Sequence, residues 1–413
     1  MAAHTERDPT EPPAGGIPSF PMSRAAACPF DPPPTLRRLQ GESPLTRVRL
    51  WDGSIAWLVT RYAEQRALLA DPRISADASH PHFPHRGAAQ RELFKAERIF
   101  IVMDDPEHAR LRRMLTAAFA IKRLEAMRGA IQRIADRLID DMLAGPTPVD
   151  LVTALALPLP SLVICELLGV PYADHDFFQG TSRILLDSRT TPERAMCARR
   201  RLADYLDGLV GERLANPRDD LLSGLAARVN AGELTLHDAS AMGRLLLIAG
   251  HETTANMIAL GTLALLQHPE QLAELRETGD AALIAASVEE LLRYLSIVQS
   301  GRRRVALEDI AIGGHTIRAG EGVILAGDIA NRDASVFPEP DRLDIHRDAR
   351  GHLAFGFGVH QCLGQPLARV ELQVVYGALF RRIPALRLAV DLTEIRFRHD
   401  SLIYGVDELP VTW

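Results

Sequence analysis

Between Thr235 and Pro269 lies a stretch of 32 residues, Leu236 to Gln267, with no proline and with apolar side chains at every helical azimuth. As a helix it is about 48 Å long at about 1.5 Å per residue. Leu245, Leu246, Leu247, Ile248, Met257, Ile258, Leu260, Leu263, Leu265 and Leu266 leave it no polar face. It must therefore be enclosed on all sides, and the rest of the fold has to be built around it. Thr235 is a natural N-cap, and His268-Pro269 supplies the stop. The middle reads Ala249-Gly250-His251-Glu252-Thr253-Thr254. A glycine there costs about 0.5–1 kcal/mol against alanine, and a buried carboxylate is costly unless partnered. Local rules broken in one place mark a functional position. His251-Glu252 opens the zinc-protease pattern His-Glu-x-x-His, but Ala255 stands where the second histidine is needed, so that reading fails.

Most of the remaining chain reads as helix, with apolar residues at helical spacing over Glu107–Phe119, Leu124–Leu143 and Arg199–Leu214. Two hairpins are expected, Val48–Trp51 with Ser54–Val59 around Asp52-Gly53, and Ile310–Ile317 around Gly313-Gly314. Residues 1–30, punctuated by proline and glycine, are expected to form a flexible arm before a single domain over 31–413, although 413 residues would by length alone allow two or three domains. The weakly patterned Ser75–Arg98 segment is expected to be a long functional loop with short helical pieces. A composition of 47% apolar and 24% charged residues suits a globular chain, and a net charge of −6 gives no global field for nucleic acid or anionic lipid. Cys28, Cys165, Cys197 and Cys362 form no Cys-x-x-Cys pair, which disfavours a zinc knuckle or a disulfide framework and suggests a reducing compartment. Charges at Glu6, Arg7, Asp8 and Glu11 exclude a signal-peptide core, and Pro158, Pro160 and Glu166 break the richest apolar stretch, so a cytoplasmic protein without membrane contact is expected.

A second constellation is Phe355-Gly356-Phe357-Gly358-Val359-His360-Gln361-Cys362-Leu363-Gly364. Its glycines allow backbone to approach something flat, and Cys362 precedes a helical stretch whose first N–H groups favour a thiolate. Here the chain resembles the cytochrome P-450 haem-thiolate monooxygenases, whose signature Phe-x-x-Gly-x-x-x-Cys-x-Gly is met by Phe355, Gly358, Cys362 and Gly364. Four further motifs fall in the family's order: Glu290-x-x-Arg293 followed by Pro340-Asp341-Arg342, Ala249-Gly250-x-Glu252-Thr253, His108-x-x-x-Arg112, and Arg304 at the start of a strand. The resemblance, closest to soluble bacterial members that hydroxylate secondary metabolites and xenobiotics, runs from about Phe30 to the C-terminus.

The resemblance implies a mainly α, triangular helical single domain with a minor β region. It implies haem b (iron protoporphyrin IX) with Cys362 as the iron ligand, Phe355, Gly356, Gly364, Ala249 and Gly250 beside the ring, and His108, Arg112, Arg304 and His360 as donors to the propionates. Glu290, Arg293 and Arg342 would form a buried charge triad, although on residues alone the first two could equally be a solvated helix pair. Glu252 and Thr253 would deliver protons while O2 is activated, with Gly250 opening the helix beside the iron; a threonine bonded to the carbonyl one turn back is the plainer alternative. One oxygen atom would enter a C–H or C=C bond of a small hydrophobic molecule. Electrons from NADH or NADPH would arrive through ferredoxin reductase and ferredoxin, docking on Arg110, Arg113, Lys122 and Arg369 of a monomer unless these are ordinary solvated charges. Phe83, Leu246, Ala249, Ile297, Val298, Gln299, Leu402 and Ile403 would line an almost wholly apolar pocket, with Ser75–Arg98 and Asp176–Arg194 as its lid. The rivals are a nitric oxide reductase on the same scaffold, which needs no acid–alcohol pair, and a non-catalytic relative, which typically lacks the cysteine.

Overall fold

The computed structural model describes residues 16–25 and 28–413. The long apolar helix runs Leu236–Leu266, one residue short of the expected end. Thr235 Oγ1 accepts from Asp238 N at 3.0 Å while the Asp238 carboxylate accepts from Thr235 N at 3.0 Å, a reciprocal cap that satisfies two N-terminal donors. Around it pack the helices Pro158–Leu168, His175–Leu186, Pro192–Ala215, Leu221–Asn230, Ala281–Leu295 and Gln365–Arg382, and their apolar faces merge into one core. Beyond the first turn, where Leu236 and His237 are exposed, enclosure fails in mid-helix: Ala249 is exposed where it faces an internal cavity.

A five-stranded sheet flanks the helical body in the order Leu45–Arg49, Ile55–Val59, Gly322–Leu325, Arg302–Ala306, Ile74–Ser75. The first hairpin forms with its first strand three residues earlier than expected, pairing Leu45 with Val59 and Arg49 with Ile55. Gly53, at φ +84°, turns the chain back, and Leu50 N reaches Ser54 O at 2.8 Å. Strand alternation puts Arg302 and Arg304 on one face of their strand and Arg303 and Val305 on the other, which sends the arginines to two different sites. The second hairpin, Ile310–Ile312 with His315–Ile317, is where the sequence puts it.

Part of the expected arm is built into this sheet. Ser19 bridges Arg49, and Phe20 is buried against Leu36, Leu39 and Val48, since an aromatic ring beside an apolar sheet edge gains by leaving water. Residues 1–15 lie outside the described residues. The Ser75–Arg98 segment contains a nine-residue helix, Ala88–Ala96, and the other expected lid segment is mostly the helix His175–Leu186. No helix among the described residues is long and apolar enough to cross a membrane.

The charge triad differs from expectation in one member. Glu290 and Arg293 are fully buried and paired through two bonds of 2.7 and 2.8 Å, and Arg293 Nη1 also donates to Asn331 O and Pro340 O. The second cation on Glu290 is Arg347, whose Nε lies 3.2 Å from Oε1. The Arg342 side chain points outwards to Glu339, because the Pro340–Arg342 turn offers the buried pair backbone carbonyls, those of Pro340 and Arg342.

Candidate active site

Phe355 to Gly364 fold into a tight loop in which Cys362 N donates to Phe355 O at 2.9 Å. Gly358, at φ +72°, is obligatory: a Cβ there would stand 2.3 Å from Leu69 O. Gly364 caps the helix Gln365–Arg382, so the backbone N–H groups of Gly364 and Gln365 face the cysteine sulphur. Desolvation is the largest influence on this thiol and pushes its pKa up, against those N–H groups and the positive charges of Arg112 and Arg302. Yet the residue is not closed over by its neighbours and keeps exposed surface. A soft metal replacing the proton resolves the conflict, and the donors already aimed at the sulphur fit a metal-bound thiolate. Arg302 also donates to Leu353 O and Ala354 O at 3.0 and 2.9 Å, holding the loop's start. Sequence reasoning missed this residue, although its i, i+2 relation to Arg304 is the signal that puts both on one strand face.

His108, Arg112, Arg304 and His360 are brought together. The rings of His108 and His360 lie 4.1 Å apart, and Arg112 Nη2 donates to Gln361 O at 2.6 Å. His108 Nδ1 sits 3.0 Å from Asp105 Oδ1, whereas its buried Nε2 has no partner. Desolvation, then the charges of Arg304, His108 and Arg112, depress the His360 pKa to about 3. Arg304 is lowered to about 10 by desolvation and then by Arg302. Donors outnumber carboxylates in this cluster, where Asp105 is engaged by His108, and two further carboxylates would complete it, as the propionates of a haem would.

On the long helix, Thr253 Oγ1 donates to Ala249 O at 2.7 Å, the local bond of the plainer alternative. Glu252 is buried with Oε1 unpartnered; Arg398 Nη1 stands 3.7 Å from its Oε2 and His251 Nε2 3.8 Å from its Oε1. This carboxylate lines the main cavity on one side and, on the other, a small void bounded by Arg183, Asn256 and Arg398. Neither Arg398 nor His251 was anticipated, the former because it comes from the far C-terminal turn. Gly250 does not open the helix: the element is continuous, and a Cβ on Gly250 would meet Ile164 Cγ1 at 2.6 Å, so the glycine serves close packing against the helix Pro158–Leu168.

The cavity has a volume of about 660 Å³. Ala249, Gln299, Leu402 and Ile403 line it as expected. Phe83 instead packs with Ala78, Val102 and Val305, and Leu246 turns into the core while Leu245 and Ile248 take the wall, a rotation of about 100° per residue. Ile297 and Val298 are used by the fold: Tyr404 N donates to Ile297 O at 2.8 Å and Val298 bridges Ile403. The wall is also less apolar than expected, since Arg86, Glu97, Arg199, Arg244, Arg303 and Asp328 contribute to it. Those charges come from elements distant in sequence, which no local pattern connects.

A family model described as "Cytochrome P450" matches residues 181–383. Over 403 residues, 97% of each chain, the sequence is 58% identical to "Cytochrome P450 GfsF" of Streptomyces halstedii. It is 52% identical to "Pentalenic acid synthase" of Streptomyces avermitilis, over 96% of this chain and 97% of that protein. Among solved structures, mycinamicin VIII C21 methyl hydroxylase from Micromonospora griseorubida, bound to mycinamicin VIII, superposes with a TM-score of 0.90 at 46% identity, covering 96% of this chain and all of that one (100%).

Proposed function

The chain belongs to the cytochrome P450 family and is a monooxygenase of the bacterial type that uses haem iron and O2, and from that premise we propose how its own residues divide the work. The observation that carries the proposal is the Cys362 loop, where a sulphur deep in the fold faces two backbone N–H groups and two arginine charges. Cys362 would ligate the iron and His108, Arg112, Arg304 and His360 would hold the propionates, while Arg302 braces the start of the cysteine loop. Phe355, Gly356, Gly364 and Ala249 would flank the ring, and Gly250 lets the long helix sit close to its neighbour. When bound, the haem iron supplies the activation of O2, helped by electron donation from a thiolate ligand, so that one oxygen atom enters the substrate and the other leaves as water.

The protein supplies position and protons. Glu252 takes protons from the side of Arg398 and presents them at Oε1, and the Thr253 hydroxyl directs them into the cavity. This use of an acid–alcohol pair at the cavity wall favours oxygen insertion over nitric oxide reduction. The substrate is a small, mostly hydrophobic molecule over Leu245, Ile248 and Ala249, and the relatives named for mycinamicin VIII and pentalenic acid favour tailoring of secondary metabolites. Electrons from NADH or NADPH reach the monomer in the cytoplasm through ferredoxin reductase and ferredoxin, and its single domain takes in the Ser19–Phe20 strip as well as residues 31–413. Arg113 and Lys122 are exposed and suited to that docking, whereas Arg110 is paired with Glu107 at 2.6 Å and donates to Glu233 O at 3.0 Å, and Arg369 is committed to Glu289 through bonds of 2.6 and 2.9 Å.

A reduced, CO-bound difference spectrum tests the ligand. The parent gives the strongly red-shifted thiolate band, and Cys362→Ala binds haem without it and turns nothing over. A thiolate band in that variant refutes the assignment.

A further inference from the structure

Where the cavity meets the N-terminal segment, two arginines stand without an anion among the described residues. Arg303 is buried; its Nε donates to Ser300 O at 3.0 Å, its Nη1 to Pro84 O at 2.9 Å, and its guanidinium lies 5.3 Å from the centre of the Phe20 ring. Arg86, half-buried on the same wall, makes no side-chain hydrogen bond or ion pair among the described residues. The carboxylates of the wall are matched elsewhere. Glu97 holds Arg199 and Arg244, Asp187 and Asp400 share Arg189, Glu252 faces Arg398, and Asp328 feels Arg24 and Arg302. Desolvation alone lowers Arg86 to about 10, and desolvation followed by the Arg86 charge holds Arg303 well below the ordinary guanidinium range. A buried cation is retained at such cost when something negative arrives to pair with it.

We propose that Arg86 and Arg303 form a carboxylate anchor, so that the substrate is an amphipathic organic acid whose apolar skeleton lies over Leu245, Ile248 and Ala249. A planar guanidinium matches a carboxylate through two parallel N–H···O bonds, which fixes orientation as well as affinity, and a largely apolar wall otherwise has few groups to do so. The inference deepens the monooxygenase reading by naming the substrate class, and rests on that reading for which end of the molecule is oxidised.

The test compares laurate with methyl laurate and abietate with methyl abietate on the holoenzyme at about pH 8, where both acids are ionised. Binding is read by equilibrium dialysis and by the shift of the iron towards high spin. In the parent each acid binds about tenfold or more tightly than its ester. Arg86→Gln removes that preference while leaving ester affinity in place, and Arg86→Lys, which keeps the charge without the fork, retains part of it. Arg86 is the position tested because Arg303 also holds backbone carbonyls. Equal affinity of acid and ester in the parent, no binding of either acid, or a preference that survives Arg86→Gln overturns the anchor. The CO difference spectrum of the same samples reports separately on the haem-thiolate site, so a failed anchor with an intact thiolate band leaves the monooxygenase reading standing.

Discussion

Arg347 Nε lies 3.2 Å from Glu290 Oε1, an oxygen that also accepts from Asp344 N at 3.0 Å and from Arg293. The buried carboxylate is thus saturated by two guanidinium groups and a backbone N–H. Breaking one side of a buried ion pair strands the other, so Arg293→Ala should cost about 3–5 kcal/mol. Arg347→Ala should cost about 1–3 kcal/mol, since a main-chain donor and Arg293 remain. Arg342→Ala, at the surface, should stay within about 0.5 kcal/mol. Denaturant midpoints of the three variants check the order; an Arg342→Ala variant as unstable as Arg347→Ala would reverse the assignment.

Removing the Thr253 hydroxyl should separate electron use from product formation. Thr253→Ala keeps haem and substrate affinity near the parent's, while product per NAD(P)H falls and hydrogen peroxide rises. Glu252→Gln, which cannot release a proton, should slow turnover on the order of 100-fold, the scale of a positioned acid. The measurements are product and peroxide yields against cofactor consumed. Full coupling in Thr253→Ala would show that Thr254 or water does the work.

Replacing Arg304 or His360 by alanine should loosen haem without abolishing the thiolate spectrum of the haem that remains. Each charge-assisted bond contributes about 1.5–3 kcal/mol, so haem dissociation into an acceptor globin should accelerate about 10- to 100-fold. Retention equal to the parent's in both variants would mean that the propionates lie elsewhere.

Glu371, buried on the helix Gln365–Arg382, gives a pH dependence of stability. Desolvation raises its pKa from an ordinary 4.5 to about 8, against a hydrogen bond from Thr254. Between those values the folded protein binds a proton that the unfolded chain has released, so stability present at low pH is lost as pH rises to about 8. Glu371→Gln removes this slope: its advantage over the parent is small near pH 4.5 and grows by about 1.4 kcal/mol for every tenfold fall in proton concentration until pH 8. Unfolding curves across that range, with haem bound, read the difference. A parallel pair of profiles would show that Glu371 is ionised in the folded state.

What was legible in the sequence was what short-range pattern encodes. The long helix, its Thr235 cap and its proline stop depend on residues within a turn or two, and they were placed to one residue. The Cys362 loop was equally readable, because Gly358 and Cys362 sit at fixed spacing in one strained turn. Arg347 was missed because the turn after Pro340 decides which arginine faces inwards, and spacing alone does not. Leu245 takes the wall position that the resemblance implies for Leu246, and a helix without a polar face offers no azimuth that would tell them apart. Arg398, which meets Glu252 from the C-terminal turn 146 residues away, shows the limit most plainly: only the assembled fold makes the two neighbours.

The cavity's two ends come from different stretches of chain. The end beside Ala249 belongs to the most deeply interlocked helix, whereas the other is closed by the strip around Phe20, held by backbone bonds to Arg49, by the seated Phe20 ring and by Arg24 against Gln299 and Tyr404. Chemistry and taste are therefore inherited on separate parts. A lineage, or an engineer, can exchange the strip and alter which molecules are admitted and how they are turned, while the machinery that spends the oxygen passes on unedited.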